Sequence, residues 1–376
     1  MNKNNTAYLK RLERVWDWME KEDIALLMLE DTETRRDQNI RWLTGHPNDA
    51  LLFLTSDRKA ILAAWDVNLA KLYACAPVII ASYNDYNRKA ITAISVIAKT
   101  IGIPAGSRVE IPSVTSYPTF LNFVGELTDY DIICREKGAV AEINKMRAVK
   151  DEEEIRITKK AAGVTNEIIN LLEKNAQNGK IKTEADAALF IEVESRKRGC
   201  EGTSFGTLAA GPDRSYAIHA FPGWTNAPFA VQGLSILDFG VKLNGYCTDV
   251  TLTFARDLNA KQEKLVGLVE KAYKLAVPMS RNGTKARDIA ASVDAFFKKS
   301  RKEMPHGLGH GVGLEEHEYP VIRSSKENEW VLEPGMIFTI EPGLYDPVLG
   351  GCRLENDVLV TDADPEILTE SRIIWL

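Results

Sequence analysis

Cysteine, histidine and long apolar runs are all scarce in this chain of 376 residues. Its five cysteines (Cys75, Cys134, Cys200, Cys247 and Cys352) are odd in number, scattered, and form no Cys-x-x-Cys pair. That argues against a disulfide-stapled secreted domain and for reduced thiols in a cytoplasmic compartment. No apolar stretch reaches membrane-spanning length, and the segment from Met1 to Lys21 carries too much charge for a signal peptide. The net charge is −6 with no long basic run, so neither a nucleic-acid partner nor an anionic membrane is expected. The first 140 residues hold no glycine-rich phosphate loop, and no low-complexity segment or short tandem repeat is evident. A cytoplasmic enzyme or binding protein is what these absences leave.

The length suits two domains. Leu9, Leu12, Trp16 and Met19 recur at helical spacing and predict an amphipathic helix over 6–22. Strands are expected at 24–29, 51–55, 60–65 and 78–81, and near 108–111 and 131–134, alternating with helices at 66–75, 88–101 and 117–127. That pattern is an α/β domain with a mixed sheet over residues 1–140, in which His46 is read as an ordinary loop residue. Beyond it, Asp151 to Glu154 open a long helix to about Asn175, where their charge complements the helix dipole. Thr183 caps a second helix to about Arg198, strands follow from Ser204 to Phe254, and helices return at 259–281 and 284–302, the latter opened by Thr284. Residues 141–376 are therefore expected to form an α+β domain, with helices packed outside a curved antiparallel sheet. The order of two helices and then strands echoes between 151–254 and 259–361.

Three of the five histidines fall within twelve residues, His306, His310 and His317, interleaved with glycines at 307, 309, 311 and 313. Each glycine costs close to ~1 kcal/mol inside a helix, so an extended backbone is expected. His306 and His310 then share one side, and His317 needs a bend to join them. Elsewhere, Asn244-Gly245 signals a two-residue hairpin in which Asp238 faces Thr251 and Asp249 is its diagonal neighbour. Glu341 ends an apolar strand, and Glu355 sits inside another, with Arg353 at hand for a salt bridge. Four carboxylates in one pocket repel strongly. Two divalent cations with one neutral imidazole would balance them, and the oxygen-rich donor set suits manganese, cobalt, iron or zinc. Spacing does not decide which histidine takes part.

The ordered motifs Asp238-Phe-Gly, Tyr246-x-x-Asp249-x-Thr251, His306-Gly-x-Gly-His310-Gly-x-Gly, Thr339-Ile-Glu341-Pro-Gly and Arg353-x-Glu355 resemble those of the pita-bread metallopeptidases. Within these, the likeness is to the Xaa-Pro aminopeptidase and prolidase group. Asn39 to Gly45 is similar to the start of that group's creatinase/prolidase-type N-terminal domain, and 144–162 to the opening helix of its catalytic domain. The resemblance implies Asp238, Asp249, His310, Glu341 and Glu355 as ligands of two metal ions, manganese first among them, with Asp249 and Glu355 touching both. It implies outer-shell or substrate-binding roles for His219, His306, His317 and Arg353, and a homodimer. Leu252 and Asn356 depart from the group's usual arginine and aspartate, which bears on substrate contacts and on hydrogen bonds behind the metal site.

The expected activity is hydrolysis of the bond before proline, in a peptide or a dipeptide. Glu341 would serve as proton shuttle, His219 and His317 would donate to the substrate carbonyl, and His306 would line the proline pocket with Tyr345 as a further candidate and Arg353 alongside. A metal-free creatinase does not need the five ligands, a methionine aminopeptidase lacks the first domain, and a non-catalytic peptide-binding relative tends to lose ligands.

Overall fold

Leu12, Trp16 and Met19 are buried along α1 (Asn5–Lys21), whereas Leu9 at the edge of that stripe stays 37% exposed. The computed structural model describes residues 5–75 and 77–376. The chain divides into two units, one ending at Met146 and one running from Arg147 to Leu376. Among the described residues, no helix is long and apolar enough to cross a membrane, and no disulfide joins any of the five cysteines.

The first unit is built on a six-stranded sheet of β1 (Ile24–Asp31), β2 (Ala50–Thr55), β3 (Ala60–Ala64), β4 (Ile79–Ser82), β5 (Arg108–Glu110) and β6 (Asp131–Ile133), in the order β4-β3-β2-β1-β5-β6. β1 pairs antiparallel with β2 and parallel with β5, so the sheet is mixed, as the alternating pattern predicts. The pattern gives no hint of α2 (Gln38–Thr44), a two-turn helix with Asp37 as N-cap and Gly45, at φ +80°, as C-cap. Asn39, Ile40, Trp42, Leu43 and Thr44 are all buried, so the segment has no polar face from which a helical period could be read. His46 follows it in a loop and is only 1% exposed. The unit is completed by α3 (Val67–Tyr73), α4 (Ala90–Ile101), α5 (Tyr117–Glu126) and α6 (Ala139–Met146).

In the second unit, α7 (Glu152–Gln177) starts at a capping box of Asp151 and Glu154, and α8 (Glu184–Lys197) at one of Thr183 and Asp186. After α9 (Ala260–Ala276), α10 (Ala286–Lys299) follows Lys285 without a side-chain cap, one residue beyond the Thr284 expected to open it. The strands are β7 (Gly202–Thr203), β8 (Leu208–Ala210), β9 (Gly233–Phe239), β10 (Val241–Leu243), β11 (Tyr246–Cys247), β12 (Val250–Arg256), β13 (Gly309–Gly311), β14 (Glu318–Ile322), β15 (Ile337–Ile340), β16 (Gly343–Asp346), β17 (Gly350–Arg353), β18 (Asn356–Leu359), β19 (Glu366–Ile367) and β20 (Ile373–Trp375). Most fall into two sheets, β20-β12-β9-β8 and β14-β13-β15-β18-β19, which meet at the bridge between Thr251 and Glu355. All these pairings are antiparallel except that of β20 with β12.

Each helix pair covers one sheet. Ile168 and Leu172 of α7 and Ile191 of α8 pack with Leu237, Phe239, Val250, Leu252 and Phe254. Val266 and Val269 of α9 and Ile289 and Phe297 of α10 pack with Phe338, Ile340 and Val358. Strand alternation therefore turns Asp238, Asp249, Thr251 and Thr253 to the opposite face of the first sheet, and Thr339 and Glu341 to the opposite face of the second. Leu252, at the first position departing from the family pattern, lies on the helix side and is fully buried.

Candidate metal centre

Asn244 and Gly245 both have positive φ, +49° and +90°, which is the backbone of a type I′ turn. Leu243 pairs with Tyr246 across it, and the same register carries down the hairpin to pair Asp238 with Thr251. Asp249 is thereby set diagonally from Asp238 on the face away from the helices. The second sheet supplies its part through β13. That strand is extended because Gly309 and Gly311 press against the carbonyls of Thr339 and Tyr319, where a Cβ would collide with backbone. The His310 backbone N–H donates to Thr339 Oγ1 at 3.2 Å. The pairing with β14 shifts register just after His310, and this brings the His317 ring centroid to 4.1 Å from that of His310.

Donor atoms of Asp249, His310 and Glu355 all lie within 4.8 Å of one another. His310 Nε2 is 3.7 Å from Asp249 Oδ2 and 3.7 Å from Glu341 Oε1. Glu355 accepts from Thr251 Oγ1 at 2.6 Å. Asp238 accepts from Arg353 Nη2 at 2.6 Å through Oδ2, while its Oδ1 is buried without a hydrogen-bond partner. A fifth carboxylate, which the sequence reading did not select, stands behind these. Asp357 is fully buried, accepts from the Asp249 backbone N–H at 3.2 Å, and leaves its own Oδ1 unpartnered. It shares a strand face with Glu355, so the same argument about acidic residues in apolar strands would have found it.

Burial, reinforced by Glu355, Asp238, Asp357 and Glu341, holds the Asp249 carboxyl well above the usual carboxylate range. Burial and the Glu355 charge do the same for Glu341, and burial with Asp238 pushes Glu355 up to about 7. Burial and the neighbouring His317 drop His310 to about 3, which leaves a neutral imidazole able to donate a lone pair. The Arg353 guanidinium pairs with Asp238 and offsets part of the charge of Glu355 and Glu341. Two orphaned carboxylate oxygens, four raised carboxyls, Asp357 being held up by burial as well, and one neutral imidazole are what a cluster of cation ligands looks like without its cations.

The remaining candidates occupy the surroundings. Arg353 is 2% exposed, and its donors go to Asp238, Thr251 Oγ1, Tyr345 Oη and the Ile218 carbonyl. Tyr345 Oη also lies 2.9 Å from His306 Nε2, and His306 Nδ1 is 2.8 Å from the Gly307 carbonyl. With Nδ1 as donor there, Nε2 accepts from the tyrosine. Burial, Arg353 and His219 lower His306 to about 4 despite that backbone bond, so it too is neutral. His219 and His317 have exposed side chains, His219 in the loop between β8 and β9. Asn356, the second departure, points away from the cluster. Its amide donates to Tyr273 Oη and the Ser371 carbonyl and accepts from Thr369 and Ser371; a carboxylate could accept from the tyrosine hydroxyl instead but could not bond the Ser371 carbonyl.

Residues 156–362 match the model of metallopeptidase family M24. The chain is 36% identical over 231 residues to YkvY of Bacillus subtilis, covering 61% of this chain and 62% of that protein. It is 33% identical over 251 residues to the Xaa-Pro dipeptidase of Pyrococcus furiosus, covering 63% and 69%. The matched stretch thus spans 62% to 69% of these relatives' own lengths. Among solved structures, an Xaa-Pro dipeptidase from Bacillus anthracis superimposes with a TM-score of 0.84 at 24% identity, over 98% of this chain and 100% of that one. An X-Pro aminopeptidase from Thermotoga maritima gives 0.82 at 23%, over 97% and 99%. These establish the pita-bread fold, and with more than half of its residues matching the family model, the chain belongs to metallopeptidase family M24.

Proposed function

We propose that this chain hydrolyses the peptide bond preceding proline, in Xaa-Pro dipeptides or peptides that begin Xaa-Pro. Two divalent cations, manganese first among them, would be held by Asp238, Asp249, His310, Glu341 and Glu355, with Asp249 and Glu355 shared between the two. The observation that carries this reading is the gathering of Asp238, Asp249, Glu341 and Glu355, with Asp357 behind them, around one neutral histidine, where the Arg353 guanidinium pairs with Asp238. Such cations lower the pKa of water from near 16 to roughly 7 and so supply hydroxide at neutral pH. Glu341, with its side chain 17% exposed, has an opening toward solvent and is the proton shuttle. It takes the proton of the attacking water and passes it to the leaving proline nitrogen. His317 and His219 donate to the substrate carbonyl and to the oxyanion that develops from it. His306 and Tyr345 present the edge of the pocket to the proline ring. Arg353 serves by fixing Asp238, since its own donors are already engaged. Cysteines outside any disulfide fit a cytoplasmic setting, and a homodimer follows from the family resemblance.

Elemental analysis of the purified protein, combined with assays of Xaa-Pro against Xaa-Ala dipeptides, tests the reading. Two divalent ions per chain and selective cleavage of Xaa-Pro are expected. Glu341→Gln should fold and lose nearly all turnover, and a variant that still cleaves Xaa-Pro at the wild-type rate would remove Glu341 from the shuttle role.

A further inference from the structure

The loop between β8 and β9 carries His219 and lacks regular structure, yet it is fastened at both ends to one carboxylate. Glu184, the first residue of α8, has a side chain that is 0% exposed. Its Oε1 accepts from the Gly211 backbone N–H at 2.8 Å. Its Oε2 accepts from the Thr225 backbone N–H at 2.7 Å, from Thr225 Oγ1 at 2.6 Å, and from the Arg214 guanidinium, whose other arm reaches the Pro222 carbonyl. In return, the first backbone N–H groups of α8, on Glu184 and Ala185, donate to the Ala227 and Thr225 carbonyls at 3.0 and 2.9 Å. Between these points the loop touches the metal centre's own wall. Ser215 Oγ accepts from the Gly351 N–H at 3.0 Å, and the Ile218 carbonyl accepts from Arg353 Nη1 at 3.2 Å. His219 is the next residue, and it lies close enough to His306 to help lower that ring's pKa. The loop's large apolar side chains add little, since Phe221 is 95% exposed and Tyr216 and Trp224 are 44% exposed each, and its apolar anchorage is the small Ala217 and Ala220 against Leu208, Ala210 and Ile236.

We propose that Glu184 is a positioning residue that acts through His219. By closing both ends of the 211–225 loop on one buried carboxylate, it holds the imidazole beside the site before substrate arrives. The proposal rests on the reading of His219 as a donor to the substrate carbonyl. A donor fixed in advance stabilises developing charge without being ordered during the reaction, whereas a donor on a loose loop loses much of that benefit. Glutamine at 184 would turn an amide N–H₂ toward donors that need an acceptor, so Glu184→Gln should open the clamp with little change in volume.

The experiment combines hydrogen exchange with a double-mutant cycle on the metal-loaded full chain, using an Xaa-Pro dipeptide as substrate. Glu184→Gln should speed amide exchange within 211–225 while leaving metal stoichiometry unchanged, and should lower kcat by roughly tenfold. His219→Ala should lower it by about 10². The double variant should lose no more than His219→Ala alone, because Glu184 has nothing left to position. Losses that multiply in the double variant, unchanged exchange in the loop, or a His219→Ala protein with wild-type turnover would each overturn the proposal. Thr225→Val removes one of the four bonds and should move exchange and kcat the same way by less, which covers the case in which Glu184→Gln fails to fold. A wild-type protein that cleaves no Xaa-Pro peptide would defeat the function proposed above, and the exchange measurement would still decide whether Glu184 holds the loop.

Discussion

Glu318 shows how this fold tolerates a buried charge outside the proposed metal centre. Its side chain is 4% exposed, and it is paired with Arg147 and with Lys150 at 3.1 Å, both themselves buried. Burial raises its carboxyl, but the Arg147 and Lys150 charges outweigh that and bring it down to about 2. A folded-state value below the unfolded one contributes stability that is present above the unfolded value and lost as pH falls through the folded value. The window here runs from near 4.5 down to about 2. The full contribution is about 3 kcal/mol, of which about 2 kcal/mol should be gone by pH 3. Glu318→Gln should therefore cost roughly 3–5 kcal/mol in urea unfolding at pH 6, by taking the buried carboxylate from Lys150 and leaving Arg147 with the half-exposed Glu315, and clearly less at pH 3. Equal differences at both pH values would mean that the charge contributes nothing. Glu318 escaped the sequence reading because its partners lie some 170 positions away, a distance no local pattern reports.

The hairpin and the glycine-rich strand behave differently as carriers of sequence information. Asn244-Gly245 fixes both turn type and register, so the Asp238–Thr251 pairing could be read before any coordinates existed. The division of that hairpin between two sheets could not. It occurs at Gly240, where the backbone passes so close to the Thr248 carbonyl that no side chain fits. Glycine in a strand signals some close approach without saying to what. The same logic makes Gly309 and Gly267 a useful pair. A methyl at Gly309 would collide with the Thr339 carbonyl, so Gly309→Ala should destabilise by 1–3 kcal/mol or more, to order of magnitude, and weaken metal binding by shifting His310. Gly267 lies in α9 with nothing within 4 Å of its would-be Cβ, so Gly267→Ala should stabilise by up to about 1 kcal/mol. Chemical denaturation and metal titration of both variants check the contrast, and a tolerated Gly309→Ala would show that β13 is free to move.

Across the whole molecule, the carboxylates were legible because each violates the apolar period of its strand, whereas spacing left the choice among three histidines open, and the fold sets His310 3.7 Å from both Asp249 and Glu341. His219 has no periodic context at all, and its relation to the site came from motif resemblance. Every proposed metal ligand falls in 147–376, so the energetic consequence of the cluster belongs to that unit. Without cations, the raised carboxyls favour protonation, and stability drawn from that protonated form is lost as pH climbs through the folded values, near 7 for Glu355. Cations relieve the repulsion where the carboxylates are ionised, but at pH 5 they must first displace protons. Saturation at about 100 times Kd is worth about 2.7 kcal/mol, which for a unit of this size corresponds to a rise in Tm on the order of 5–10 °C. Stripping the protein with a chelator and restoring manganese should recover that shift at pH 7.5 and much less of it at pH 5. An identical Tm with and without metal at pH 7.5 would mean that the acidic cluster is compensated in some other way, and the assignment of cations to it would have to be withdrawn.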